Sequence, residues 1–266
     1  MTKLRAENIQ AGYLKNIIIN NLSITIPEGQ IVGLIGPNGS GKSTLLKTLV
    51  RIIQPQSGAV FLDEEHLKNI STKEIAQKMA LLAQSGESAL GLTIYDIVSF
   101  GRYPYQKGFR PLSKTDLAEI DWALAATNLT HLANQRVDSL SGGQKQRVFI
   151  AMALAQDTDI VILDEPTTYL DPAHQLEILN LLVKINQEKK KTIILSIHDL
   201  NLASRFCDYL FALKAGQLVF EGTPEQVLTV EHLRTLFDIE ALLATYPNTQ
   251  KPLLVSYELR GTADET

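Results

Sequence analysis

The sequence predicts an α/β fold built on a mainly parallel sheet, and three observations carry that prediction. Strand-like and helical patterns alternate over residues 3–220, the mark of βαβ units. Ile31–Ile35, Ile160–Leu163 and Thr192–Ile197 are short, largely apolar runs that read as buried strands. A Gly-rich loop follows the first of them and opens a helix, a strand–loop–helix unit suited to holding phosphate.

Taken in order, residues 17–26 read as a strand near the N-terminus, closed by a turn at Pro27-Glu28-Gly29. The strand Ile31–Ile35 feeds the Gly-rich loop, and a helix is expected from about Lys42 to Ile53. Gln54–Gly58 makes a turn and Ala59–Asp63 a further strand. Residues 72–80, 93–100, 114–127 and 142–155 look helical, with Met79–Ala83 strand-like and Gly/Pro-rich breaks between. The crowding of helices at about 86–155 indicates a helical subdomain beside the sheet. Residues 223–258 form a small mixed appendix. The organisation expected is one domain over residues 1–258, with a disordered tail at 259–266.

Composition excludes several classes. The chain has 266 residues, 45% hydrophobic and 20% charged, enough for a large buried core. Lys plus Arg is 25 against 29 Asp plus Glu, a formal charge of −4, which disfavours general nucleic-acid binding. Cys207 is the sole cysteine, so no intrachain disulfide can form. The first residues lack the apolar core of a signal peptide. The longest apolar run, Val148–Ala155, is far too short to span a membrane, so any membrane role must come through a partner.

Gly36-Pro37-Asn38-Gly39-Ser40-Gly41-Lys42-Ser43 is a full G-x-x-x-x-G-K-S phosphate loop, with Thr44 beside it in the helix. The glycines let backbone N–H groups turn inward at phosphate oxygens, and the helix N-terminus adds partial positive charge. Lys42 can reach the β- and γ-phosphates of a nucleotide, and the Ser43 hydroxyl is placed for Mg²⁺. The strand Ile160–Leu163 ends in Asp164-Glu165. Neighbouring strand residues point to opposite faces, but at a strand end the chain can turn and present both carboxylates together. Asp164 then suits the Mg²⁺ shell and Glu165 suits polarising an attacking water.

Leu140-Ser141-Gly142-Gly143-Gln144 decides among phosphate-loop classes. Physically it is a second phosphate cradle, a serine and bare backbone amides at a helix N-terminus. The sequence LSGGQ, followed by Lys145-Gln146-Arg147, resembles the signature of the ABC ATPases, and the resemblance covers about residues 3–255. It implies the ABC fold: a phosphate-loop NTPase core with an antiparallel N-terminal β subdomain and a helical subdomain. It also implies a head-to-tail homodimer, with ATP held between one copy's Gly36–Ser43 loop and the other's Ser141–Gln144. Position by position, Tyr13 matches the aromatic that stacks on adenine. Gln84 matches the glutamine that touches Mg²⁺ and the water. Asp171 matches the aspartate of the loop that crosses the dimer interface, and His198 the histidine that contacts the γ-phosphate. Glu64, where many relatives carry Gly, and Lys145, where Arg is frequent, depart from the family pattern without touching phosphate chemistry.

A finer resemblance concerns cargo. Glu165–Asp171 followed by Ala173-His174-Gln175, and Gly101-Arg102-Tyr103-Pro104-Tyr105-Gln106, are similar to importers of ferric siderophores, haem and cobalamin. Lys251–Val255 resembles the tail of ferric hydroxamate ATPases. The resemblance implies a peripheral subunit on the cytoplasmic face of the cell membrane. Its stretch Gly86–Arg110 would grip an integral permease that is served by a substrate-binding protein. A haem or cobalamin importer, an exporter, a soluble ABC ATPase and a non-catalytic binding module are the alternatives. One cassette without a heptad tract or basic tail speaks against the soluble class, and an intact loop with Glu165 speaks against the last.

Overall fold

The computed structural model of the chain describes residues 3–14, 16–83, 91–106, 108, 110–168, 170–247 and 249–260. It divides into two compact units, one formed by Lys3–Lys68 with the chain from Ile194 onward, the other by Asn69–Ile193.

The first unit opens with β1 (Leu4–Tyr13) and β2 (Asn16–Thr25), an antiparallel pair. Then come β3 (Ile31–Ile35), α1 (Lys42–Leu49), β4 (Ser57–Leu62) and the short β5 (Glu65–His66). Four of these strands make an antiparallel sheet in the order β2-β1-β4-β5, the expected N-terminal β layer. The turn between β4 and β5 places Asp63 and Glu64 at φ of 52° and 64°, so Glu64 holds the left-handed conformation that a Gly would take without strain. α1 ends at Leu49 rather than near Ile53 because Arg51 turns left-handed at φ 62° and its guanidinium bonds to the Leu67 carbonyl at 2.7 Å.

The second unit begins with α2 (Thr72–Lys78) and β6 (Met79–Leu82). Three helices follow: α3 (Ile94–Phe100), α4 (Lys114–Ala126) and α5 (Gly142–Ala155). Each of the four helices starts at a reciprocal capping box, Ser71/Glu74, Thr93/Asp96, Ser113/Asp116 and Ser141/Gln144, which satisfies two first-turn donors at once. β7 (Ile160–Leu163), buried throughout, runs parallel to β6 with Met79 opposite Ile160 and Leu82 opposite Leu163. α6 (Pro172–Lys189) completes this unit, and β8 (Thr192–Ser196) returns the chain to the first. Ile94, Val98, Ile120, Val148, Ile150 and Leu154, all fully buried, form the core that α3, α4 and α5 share. Each such aliphatic contributes about 1.5–3 kcal/mol.

The chain then forms α7 (Leu200–Phe206), β9 (Tyr209–Lys214) and β10 (Gln217–Gly222). β9 is parallel to β3 and antiparallel to β10. The appendix contains α8 (Pro224–Val227), α9 (Val230–Phe237) and an antiparallel hairpin of β11 (Ile239–Thr245) with β12 (Pro252–Leu259). Thus β12 reaches one residue into the expected tail, whose last six residues lie outside the described ones. Sequence patterning located β2, β3, β4, β7 and β8 to within about two residues. No helix among the described residues is long and apolar enough to cross a membrane.

Candidate nucleotide site

The phosphate loop is built against its own unit. Gly36 stands at φ 141°, and a side chain there would come within 2.1 Å of the Leu213 carbonyl, so only glycine lets the loop leave β3 at this angle. Behind the loop, the Gly216 N–H donates to the Ser40 carbonyl and the Gly216 carbonyl accepts from the Asn20 N–H, both at 3.0 Å. The loop is thereby stapled to the β9–β10 turn and to β2. Its tip, Asn38 and Gly39, is exposed, with open space beside Gly39. Lys42, only 6% exposed, curls over the loop and donates to the Gly36 and Pro37 carbonyls at 2.8 and 3.2 Å. The N-cap Gly41 offers no side-chain acceptor to α1. Ser43 and Thr44 occupy its first turn, Ser43 half-buried and Thr44 buried.

The Ser40 hydroxyl is buried without a hydrogen-bond partner, an arrangement that costs about 1–3 kcal/mol unless a ligand supplies one. A polyphosphate fits that orphan, the uncapped helix start and the lysine together. Tyr13, at the end of β1, is 46% exposed, so its ring is accessible to a stacking partner. The Ile197 N–H bonds to the Leu34 carbonyl at 3.1 Å, which sets His198 next to the strand that feeds the loop. His198 is exposed and opens on a cavity of about 580 Å³, walled by Asp199, Phe237, Leu254 and Tyr257 among others.

The acidic strand end lies in the other unit. Asp164 is 2% exposed, and its N–H bonds to the Leu82 carbonyl at 2.9 Å. Glu165 then takes a left-handed φ of 54°, a conformation that costs an L-residue about 1–2 kcal/mol. This step breaks strand alternation and swings the carboxylate to where Thr168 Oγ1 donates to it at 3.0 Å. Thr168 is a site residue that no motif marks; its position three residues beyond a strand-end carboxylate is the available signal. Gln84 lies outside the described residues.

In the signature, Ser141 Oγ accepts from the Gln144 N–H at 3.3 Å and Gln144 Oε1 accepts from the Ser141 N–H at 3.0 Å. The box closes the helix start while leaving the serine O–H to an acceptor arriving from outside. Ser141 and Gly142 are exposed, and Gly143 is buried. Asp171 caps α6, its carboxylate accepting from the His174 N–H at 3.0 Å and meeting His174 Nδ1 at 2.6 Å. These bonds, the backbone one foremost, hold the Asp171 carboxyl below the usual carboxylate range. The loop, Tyr13 and His198 thus stand in one unit, and Asp164, Glu165, Asp171 and the signature in the other.

Comparison with known proteins agrees with this inventory. The iron(3+)-hydroxamate import ATP-binding protein FhuC of Bacillus subtilis (strain 168) is 49% identical over 97% of this chain and 96% of its own. Among solved structures, a chain from a metal-chelate type ABC transporter in an inward-facing conformation superposes with TM-score 0.81 at 28% identity, covering 96% of this chain and 98% of that one. An ATP-binding cassette solved as a dimer in a post-hydrolysis state with ADP and Pi gives TM-score 0.71 at 30% identity, covering 83% and 98%. The family profile described as "ABC transporter" matches residues 19–168. With a phosphate loop, an Asp-Glu strand end and an LSGGQ helix start in place, the chain belongs to the ABC transporter family.

Proposed function

We propose that this chain binds and hydrolyses ATP to power import of a ferric siderophore, of the hydroxamate type, through a membrane permease. The observation that carries the reading is the presence of two phosphate cradles in one chain, at Gly36–Ser43 and Ser141–Gln144, together with near-full-length similarity to a hydroxamate import ATPase. Two copies act head to tail, each completing the other's site, and the dimeric cassette among the similar structures supports this. Tyr13 stacks on the adenine, while the loop amides, Ser40 and Lys42 bind the phosphates. Ser43, Asp164 and Gln84 would hold Mg²⁺ through hard oxygen donors, and the ion would supply charge neutralisation at the phosphates. Glu165 orients the attacking water. His198 and the partner copy's serine and glycines of the signature stabilise negative charge as it develops. Asp171 lies on the loop that faces the partner copy.

Closure follows from differential affinity, since ATP touches both copies only in the closed pair. The chain works on the cytoplasmic face of the membrane. Residues 86–110 meet the permease, which a substrate-binding protein supplies. Residues 86–90, 107 and 109 of this region are outside the described ones, while Tyr103, 59% exposed and stacked on Phe100, is available to it. The test is to recover the tagged chain from detergent-solubilised membranes, identify the permease and reconstitute both in vesicles. ATP-driven uptake of a ferric hydroxamate is expected, and Glu165→Gln should abolish it with a loss of roughly 10²–10⁴-fold in ATPase rate. Uptake of haem or cobalamin instead, or no co-purifying permease, would overturn the assignment.

A further inference from the structure

We propose that His174 and Gln175, in the first turn of α6, are positioning residues that lock the signature helix to the loop carrying Glu165, and so couple the two ATP sites of the dimer. The inference rests on the split-site reading above. The His174 ring lies against Gly143: a side chain on that glycine would meet ring carbons at 3.2 and 3.3 Å, so the ring would have to shift by a few tenths of an ångström to make room. The same ring holds Asp171 through Nδ1 at 2.6 Å. Gln175 Nε2 donates to the Thr167 and Leu170 carbonyls at 3.3 and 3.1 Å, tying α6 to two residues that lie between Glu165 and Asp171 in sequence. Next to Thr167, Thr168 donates to the Glu165 carboxylate. One turn further along, Glu177 pairs with Arg147 of α5, so the two helices are joined at a second point.

The direction of coupling follows from the roles of the two ends. Gly143 belongs to the cradle offered to the partner copy's nucleotide, whereas Glu165 acts on nucleotide held by its own chain's loop. Contacts running Gly143–His174–Asp171 and Gln175–Thr167/Leu170–Glu165 therefore join one site's γ-phosphate sensor to the other site's water-orienting carboxylate. Side chains arranged in contact can transmit such a displacement because packed groups resist continuous deformation.

The experiment compares wild type with His174→Phe, which keeps a ring on Gly143 but loses the Asp171 bond, with His174→Asn, which does the reverse, and with Gln175→Ala. All are assayed as full-length protein for ATP turnover, Hill coefficient, affinity of the Mg-free monomer for a fluorescent ATP analogue, and thermal unfolding. The expected result is analogue affinity and KM within about two-fold of wild type. Alongside it, kcat should fall about 10–100-fold and the Hill coefficient should move toward 1, because a misplaced group of this kind costs up to about 10² in rate. Unchanged kcat and Hill coefficient in all three variants would overturn the coupling. So would a loss of analogue affinity and stability in parallel with kcat, the pattern of a merely structural role. A wild-type Hill coefficient of 1 would overturn the coupling alone, whereas failure of two chains to cross-link in Mg-ATP would remove the split-site reading beneath it.

Discussion

Arg102 offers the most quantitative test of the structure. Its guanidinium, in a residue only 3% exposed, donates from Nε to Asp116 Oδ1 at 2.9 Å and from a terminal nitrogen to the Ala155 carbonyl at 2.7 Å. It also lies 3.9 Å above the Tyr105 ring. Asp116 accepts from Ser113 Oγ at 2.6 Å and the Ser113 N–H at 2.9 Å as well. Arg102→Met would leave a buried carboxylate without its cation and the Ala155 carbonyl without its donor. Breaking a buried pair costs about 3–5 kcal/mol. Asp116 keeps both Ser113 bonds, which favours the lower half of that range even with the carbonyl bond lost, so about 3–4 kcal/mol is expected.

Urea unfolding of Arg102→Met, Asp116→Asn and the double variant measures this, with the double variant less destabilised than the sum. The pH sign is definite. Burial works against ionised Asp116, but the Ser113 bonds and Arg102 together hold its carboxyl below the usual carboxylate range. A carboxyl depressed in the folded state contributes stability that is present above its unfolded value, about 3.9, and lost as pH falls through the folded value. The wild-type advantage over Arg102→Met should therefore shrink below about pH 4. A destabilisation under about 1 kcal/mol at pH 7, or additivity of the two substitutions within about 0.5 kcal/mol, would refute the ion-pair account.

Two further outcomes test the nucleotide site. Lys42→Ala removes charge-assisted bonds to phosphate worth about 1.5–3 kcal/mol, so the affinity for a fluorescent ATP analogue should drop roughly 10–100-fold; unchanged affinity would count against the loop assignment. Cysteines at Asn38 and Gly142, both exposed and the latter facing open space, should cross-link two chains when Mg-ATP is trapped by Glu165→Gln. Native Cys207 can stay in place, because it is fully buried and burial pushes its thiol up to about 12, leaving almost no thiolate to react. Failure to link separate chains would sink the head-to-tail dimer.

Much of the candidate nucleotide site is legible because it depends on short contiguous motifs whose backbone requirements are local. Glycines at 36, 39 and 41, a lysine at 42 and a serine at 43 specify a loop wherever strand and helix flank them. The helix starts were legible for the same reason: Ser71, Thr93, Ser113 and Ser141 each stand three residues before an acidic or amide partner, although only the last drew notice as a motif. What patterning could not supply were features that depend on residues distant in sequence. The packing of Gly36 on Leu213 and the pairing of Arg102 with Ala155 arise only when separated elements meet. The left-handed step at Glu165 was anticipated only as a general possibility at a strand end, since nothing in Asp164-Glu165-Pro166 specifies the sign of φ. The early stop of α1 had a similar origin, as Arg51 leaves the helix to reach a carbonyl beyond β4.

Residues 101–106 and 173–175, which resemble stretches of iron-complex importers, have a common physical character. Their side chains with defined partners are engaged within the protein. Arg102 is buried against α4 and α5, and Tyr105 takes the guanidinium on its ring. His174 and Gln175 hold the signature and the segment beyond Glu165. If other subunits handle the cargo, as proposed above, these positions act on transport through packing within the chain. They can set how displacement at a nucleotide site is passed through the helices that follow β6 and β7. On that reasoning the importer-like motifs encode transmission geometry. Exchanging residues 101–106 for those of an ABC ATPase serving a different permease class should then alter the ATPase response to permease while leaving nucleotide affinity of the isolated chain unchanged.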